Sequence, residues 1–150
     1  KEKGVLPITD KRMTRFNITL QNGVDFVLQC LDKMWGGELF VPKIPSYRIL
    51  DVAEAIAPEA KHEIVGFRPG EKLHEDMITV NDAINTVEFD DYFVIMPNSE
   101  YLSWDKDSFL NQSSGSKGKQ CEEGFSYNSG TNEHFLTVDE LRELIENHIQ

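Results

Sequence analysis

Apolar residues recur at three-to-four spacing through Leu20, Val24, Val27, Leu28, Leu31 and Met34. That spacing predicts an amphipathic helix, which Gly36-Gly37 stops in the manner of a C-cap. In "ELFVPKIPSYRIL" two closely placed prolines forbid a helix, so the stretch reads as two short extended pieces joined by "PKIP". Asp51 is expected to cap a helix over "VAEAIAP", which Pro58 closes. "EIVGF" is a β-branched strand ending at Arg68, and "NTVEFDDYFVIMP" predicts a hairpin around Asp90-Asp91. Near the end, "LTVDELRELIENHI" predicts a helix with the capping box Thr137…Glu140 and an apolar face of Leu141, Leu144, Ile145 and Ile149. The polar, Gly/Ser-rich residues 98–124 are expected to be a flexible loop. Helices thus alternate with strands too few and irregular for a complete doubly wound sheet. The expected fold is a small mixed α/β accessory subdomain, with a core over 1–97, the loop over 98–124, and a C-terminal segment and helix over 125–150.

Composition changes this picture little, but charge narrows the partners. With 15 Lys and Arg against 26 Asp and Glu, the formal net charge is −11. Such a field repels nucleic acid and anionic membranes, so neither is an expected partner. No apolar run reaches the ~18 residues of a membrane span. The opening "KEKGVLPITD" has no signal-peptide layout and reads as an internal cut. Cys30 and Cys121 are too few for a disulfide framework and lack metal spacing. Cys30 falls on the apolar helix face as a free thiol, and a reducing cytoplasm is the expected location.

One stretch, "RPGEKLHE" at 68–75, stands out in so acidic a chain. Pro69 fixes φ near −65° and Gly70 accepts positive φ, so the pair predicts a turn. The residue before a proline is pushed toward extended geometry, which presents Arg68 on a stiff backbone. A guanidinium so presented is either a surface charge or a grip for an anion. Arg15 of "MTRF" raises the second reading, because it precedes a predicted helix, where the dipole disfavours a cation unless an anion is also there.

Other chemistry is weaker. His74-Glu75 lacks the second His of H-E-x-x-H, so a solvated strand edge outweighs a metal site. "GSKGK" has neither the spacing nor the setting of a phosphate loop. The sequence contains no G-x-G-x-x-G, and no tyrosine has a lysine four residues on. No catalytic residue, cofactor site or metal site is therefore assigned.

The segments "LPITDKRMTRFNITLQNGVDFVL", "GGELFVPKIPSYRILDVAEAIAP", "IVGFRPGEKLHEDMI" and "GFSYNSGTNEHFLTVDELRELI" carry a resemblance. Together they are similar to the C-terminal part of the inverting UDP-N-acetylglucosamine 4,6-dehydratases, NADP-dependent extended short-chain dehydrogenases of pseudaminic acid synthesis. The resemblance implies a substrate-binding subdomain without the Rossmann half, and a catalytic N-terminal half that holds NADP. It implies UDP-N-acetylglucosamine as substrate, that Rossmann half as partner, and a homo-oligomer. By motif, Arg68 would grip the UDP diphosphate, with Arg15 as a second cation. Glu71 would hold ribose hydroxyls or an Arg, and Tyr127, Asn128 and Ser129 would add substrate contacts. Asn17 departs from the aromatic expected after "TRF". In the family reaction C4 of the hexose is oxidised by NADP, water is eliminated across C5–C6, and hydride returns to C6 with inversion at C5. A related UDP-GlcNAc epimerase and a non-catalytic binding module are the alternatives.

Overall fold

A computed structural model of the chain describes residues 4–97, 105–111 and 117–148. Strands β1 (Val5–Ile8) and β2 (Thr14–Phe16) come first, followed by helix α1 (Leu20–Lys33) and strands β3 (Leu39–Pro42) and β4 (Ser46–Arg48). Next are α2 (Ile49–Ile56), β5 (Lys61–Ile64), β6 (Asp76–Ile78), a 3-10 turn at Ala83–Asn85, β7 (Thr86–Glu88) and β8 (Tyr92–Ile95). Helix α3 (Lys106–Asn111), β9 (Lys119–Gln120), β10 (Tyr127–Asn128) and α4 (Val138–His148) complete the chain. The mixed α/β class is as the sequence predicts. The chain divides into two units, one of residues 1–17, 44–75 and 128–150, the other of 18–43 and 76–127.

In the first unit β1 pairs in parallel with β5, and β2 pairs antiparallel with β4, with Arg15 opposite Tyr47. Helix α2 packs against α4, and its small Ala53 is buried, as are Met13, Leu136 and Leu141. The capping box of α4 forms: Glu140 Oε2 accepts from Thr137 N at 2.8 Å, and Glu140 N donates to Thr137 Oγ1 at 3.3 Å. Bonds from Thr137 hold the Glu140 carboxyl below its usual range. Ile149 of the expected helix face lies outside the described residues.

Three boundaries differ from the sequence expectation. Helix α1 ends at Lys33 with Met34 as its C-cap, so Gly36-Gly37 lie past the cap. Helix α2 starts at Ile49 with Arg48 at its N-cap, so Asp51 is not the cap. It sits in the first turn, 3.4 Å from Arg48 Nη1, where a carboxylate meets the positive end of the dipole. Strand β5 ends at Ile64 because Gly66 adopts φ 80°, which turns the chain before Arg68.

The second unit is built on an antiparallel sheet in the order β3-β8-β7-β9. Asp90-Asp91 connects the β7–β8 hairpin, and Phe89 N donates to Tyr92 O at 2.9 Å. Alternation along the hairpin puts Val87, Phe89, Tyr92 and Val94 into one cluster with Phe109 of α3. Phe109 meets Trp35 edge-on at 5.4 Å, and Phe89 stacks on Tyr92 at 4.9 Å. Within the stretch read as a loop, 106–111 are helical and 119–120 pair with β7, while 98–104 and 112–116 lie outside the described residues.

Helix α1 holds a surprise of packing. It is capped by Thr19, whose Oγ1 accepts from Asn22 N at 3.1 Å. Its periodic apolar residues Leu20, Val24, Val27, Leu28, Leu31 and Met34 are all exposed. The helix instead meets the sheet through Phe26 and Lys33, which both approach the Tyr92 ring. Among the described residues no helix is long and apolar enough to cross a membrane.

Candidate functional site

The Arg-Pro-Gly corner forms as a β-turn. Glu71 N donates to Arg68 O at 3.0 Å, and Gly70 has φ 82°, the value the third turn position demands. Glu71 closes the corner a second time, since its Oε2 accepts from Arg68 N at 3.0 Å. Its Oε1 accepts from Thr9 Oγ1 at 3.3 Å, tying the corner to the chain just past β1. Arg68 is exposed, and among the described residues its guanidinium has no hydrogen-bond or ion-pair partner.

Arg15 is arranged differently. Its Nη1 donates to the carbonyls of Thr14 at 2.6 Å and Leu73 at 3.2 Å, and its Nη2 to that of Lys72 at 2.9 Å. Nε lies 3.5 Å from Glu75 Oε1. Across the strand pair, burial pushes the Tyr47 phenol up, partly opposed by the charge of Arg15. Arg12 is engaged elsewhere, with Asp10 Oδ2 at 2.8 Å. Its hydrogen bonds hold the Asp10 carboxyl down to about 2.

On the other face of β2 lies a buried chain of hydroxyls. Glu75 N donates to Ser129 Oγ at 2.9 Å, Ser129 Oγ is 2.8 Å from Thr14 Oγ1, and Thr14 Oγ1 is 2.7 Å from His74 Nδ1. The arrangement that uses every donor runs from Ser129 through Thr14 to His74, leaving the ring proton on Nε2. A serine and a histidine so linked suggest nucleophile and base, but Ser129 is 0% exposed and one hydroxyl removed from the ring. The set is scaffold. A Cβ at Gly130 would lie 2.6 Å from His74 Nδ1, so only glycine lets the ring sit there.

Arg15, Arg68, Glu71, Asn128 and Ser129 therefore belong to one unit, and Tyr127 to the other. Asn128 Oδ1 accepts from Gly130 N at 2.7 Å, which shapes the "NSG" bend. Tyr127 is buried with its ring 5.2 Å from Phe93. Sequence reasoning missed Thr14, His74 and Gly130 as the residues that hold the site. Their pairings span 60 and 115 residues, for which a single sequence carries no local signal. Among the described residues no three His, Cys, Asp or Glu side chains converge to hold a metal. Burial pushes the Cys121 thiol up to about 11, helped by Glu88, so it stays protonated and unreactive near neutrality. Chemically, the site offers a pinned backbone corner and a cation that is unengaged among the described residues, an arrangement able to accept an anion.

The chain is similar to known proteins over most of its length. The family described as polysaccharide biosynthesis protein matches residues 1–97. A UDP-N-acetylglucosamine 4,6-dehydratase (inverting) of Campylobacter jejuni is 48% identical over 97% of this chain, which covers 43% of that relative. A UDP-glucose 4-epimerase of Rickettsia conorii is 33% identical over 71% of the chain, covering 32% of its own length. The X-ray structure of Pen from Bacillus thuringiensis superposes on 99% of the chain with a TM-score of 0.73 at 26% identity, across 41% of that chain. The chain spans less than half the length of each of these proteins.

Proposed function

The chain belongs to the polysaccharide biosynthesis protein family, and from that premise we propose that it is the UDP-sugar-binding portion of a 5-inverting UDP-N-acetylglucosamine 4,6-dehydratase. The observation that carries the reading is the pinned turn whose Arg68 guanidinium has no partner among the described residues, in a chain 48% identical to such a dehydratase. A guanidinium matches two phosphate oxygens at once, so Arg68 engages the diphosphate of the nucleotide-sugar. Glu71 keeps the corner closed and offers its carboxylate edge to the ribose hydroxyls. Asn128, at the bend that follows Tyr127, flanks the sugar.

The cofactor of this reading is NADP, which would be held outside these residues and would supply hydride acceptance and return at the hexose. This chain's sequence has neither the glycine-rich dinucleotide turn nor a Tyr-x-x-x-Lys pair. Its share is binding energy and orientation, and fixing reacting geometry supplies several kcal/mol of rate enhancement. The pathway is surface-glycan synthesis of the pseudaminic acid type, in a cytoplasmic enzyme that assembles as a homo-oligomer. The Rickettsia similarity favours one second reading, a UDP-sugar epimerase, which needs the same diphosphate grip.

Calorimetry on the 150-residue chain tests the shared part of both readings. UDP should bind, uridine should bind far more weakly, and UDP-N-acetylglucosamine should not be turned over by the chain alone. Equal affinity for UDP and uridine would show that phosphate is not what this site recognises.

A further inference from the structure

Resting on the UDP-binding reading, we propose that Arg15 is a positioning residue. It locks the Lys72–Glu75 segment and thereby sets the attitude of the Arg68–Glu71 corner, instead of contacting phosphate. All three guanidinium nitrogens are committed. Nη1 serves Thr14 O and Leu73 O, Nη2 serves Lys72 O, and Nε faces Glu75. The side chain is 21% exposed. To reach an anion it would have to abandon the part-buried bonds to the Thr14 and Leu73 carbonyls, and a stranded carbonyl is costly.

The same segment is held from its other side by the preceding residue. Thr14 N donates to Leu73 O at 3.2 Å, and Thr14 Oγ1 meets His74 Nδ1 at 2.7 Å. Ser129 N donates to Glu75 O at 2.8 Å while its hydroxyl takes Glu75 N at 2.9 Å. Side chains alternate along a strand, so Thr14 and Arg15 of β2 clasp one segment from opposite faces. The clasp begins at Lys72, the residue after Glu71, which itself closes the corner. Of the two motif arginines, Arg68 is then the one left for the ligand, and Arg15 acts through it.

Arg15→Lys separates the two roles. A lysine keeps the charge but has one nitrogen, which cannot span the carbonyls of residues 14, 72 and 73 together with a carboxylate. Positioning predicts amide hydrogen exchange on the order of tenfold faster at Arg68, Glu71 and Ser129 in Arg15→Lys than in the parent chain. It also predicts that Arg15→Lys loses UDP affinity nearly as far as Arg15→Ala, with the salt dependence of UDP binding unchanged, because no phosphate charge pair has been removed. Direct contact predicts the reverse: near-parental affinity in Arg15→Lys and a flatter salt dependence in Arg15→Ala. Should Arg15→Ala fail to fold, the comparison of Arg15→Lys with the parent carries the test alone. If the parent chain shows no UDP binding at all, the nucleotide reading falls, and exchange still decides the clasp. Unchanged exchange at Arg68 and Glu71 in Arg15→Lys overturns the proposal.

Discussion

Arg68→Ala should weaken UDP binding about thirtyfold, since a hydrogen-bonded charge pair with phosphate contributes roughly 2 kcal/mol and 1.4 kcal/mol is a tenfold change. The backbone of the turn does not depend on that side chain: Glu71 bonds to Arg68 through the main-chain N and O. The substitution therefore removes the grip and leaves the corner. Arg68→Lys should recover only part of the affinity, because a point charge cannot reproduce the two-pronged geometry. Arg12→Ala is the control. That residue already spends its charge on Asp10, and its loss should leave UDP affinity where it was. In a double-substitution cycle Arg15 and Arg68 should be non-additive, since one acts through the other. Calorimetry reads each effect. Intact UDP binding in Arg68→Ala would reduce the corner to architecture.

Phe109→Ala should cost about 3–5 kcal/mol of folding stability, the range for emptying a well-packed aromatic site. Phe109 is 1% exposed and wedged edge-on between Trp35 and Phe89. Phe89 is held by its stack on Tyr92, so that wall has little room to collapse into the void. The neighbouring sheet residues Val87 and Val94 are fully buried in the same cluster. Ile84 of the 3-10 turn is 75% exposed, and Ile84→Ala should stay within about 0.5 kcal/mol of the parent. Urea titration of both variants compares them directly. A loss below about 1 kcal/mol for Phe109→Ala would mean that α3 does not carry the core described above.

What could be read from the chain was local. The Pro69-Gly70 turn, the Asp90-Asp91 hairpin and the Thr137–Glu140 capping box each depend on residues within a few positions of one another, and each forms. The start of α2 was misread because Asp51 is a good cap by type, while the structure places Arg48 there and uses Asp51 against the dipole. Periodicity found helix α1 but not its packed face. The apolar stripe is the exposed one, and Phe26 with the ammonium of Lys33 makes the contact to Tyr92. The motif residues Arg15, Arg68, Glu71, Asn128 and Ser129 fall in one unit, yet their engagement was not legible. Arg15 finds its carbonyls 57 and 58 residues away. Ser129, in the polar stretch "YNSGTN", is fully buried against Thr14. Long-range partners decide such roles, and no spacing rule encodes them.

The central claim is tested most directly by putting this chain in place of the matching C-terminal part of the Campylobacter jejuni dehydratase, to which it is 48% identical, and following UDP-N-acetylglucosamine by NMR. The account predicts that the chimera, supplied with NADP, forms the 4-keto-6-deoxy sugar with the configuration at C5 inverted, and that Arg68→Ala in the chimera raises KM far more than it lowers kcat. A chimera that folds and binds NADP but leaves UDP-N-acetylglucosamine unchanged, or only epimerises it, would contradict the account.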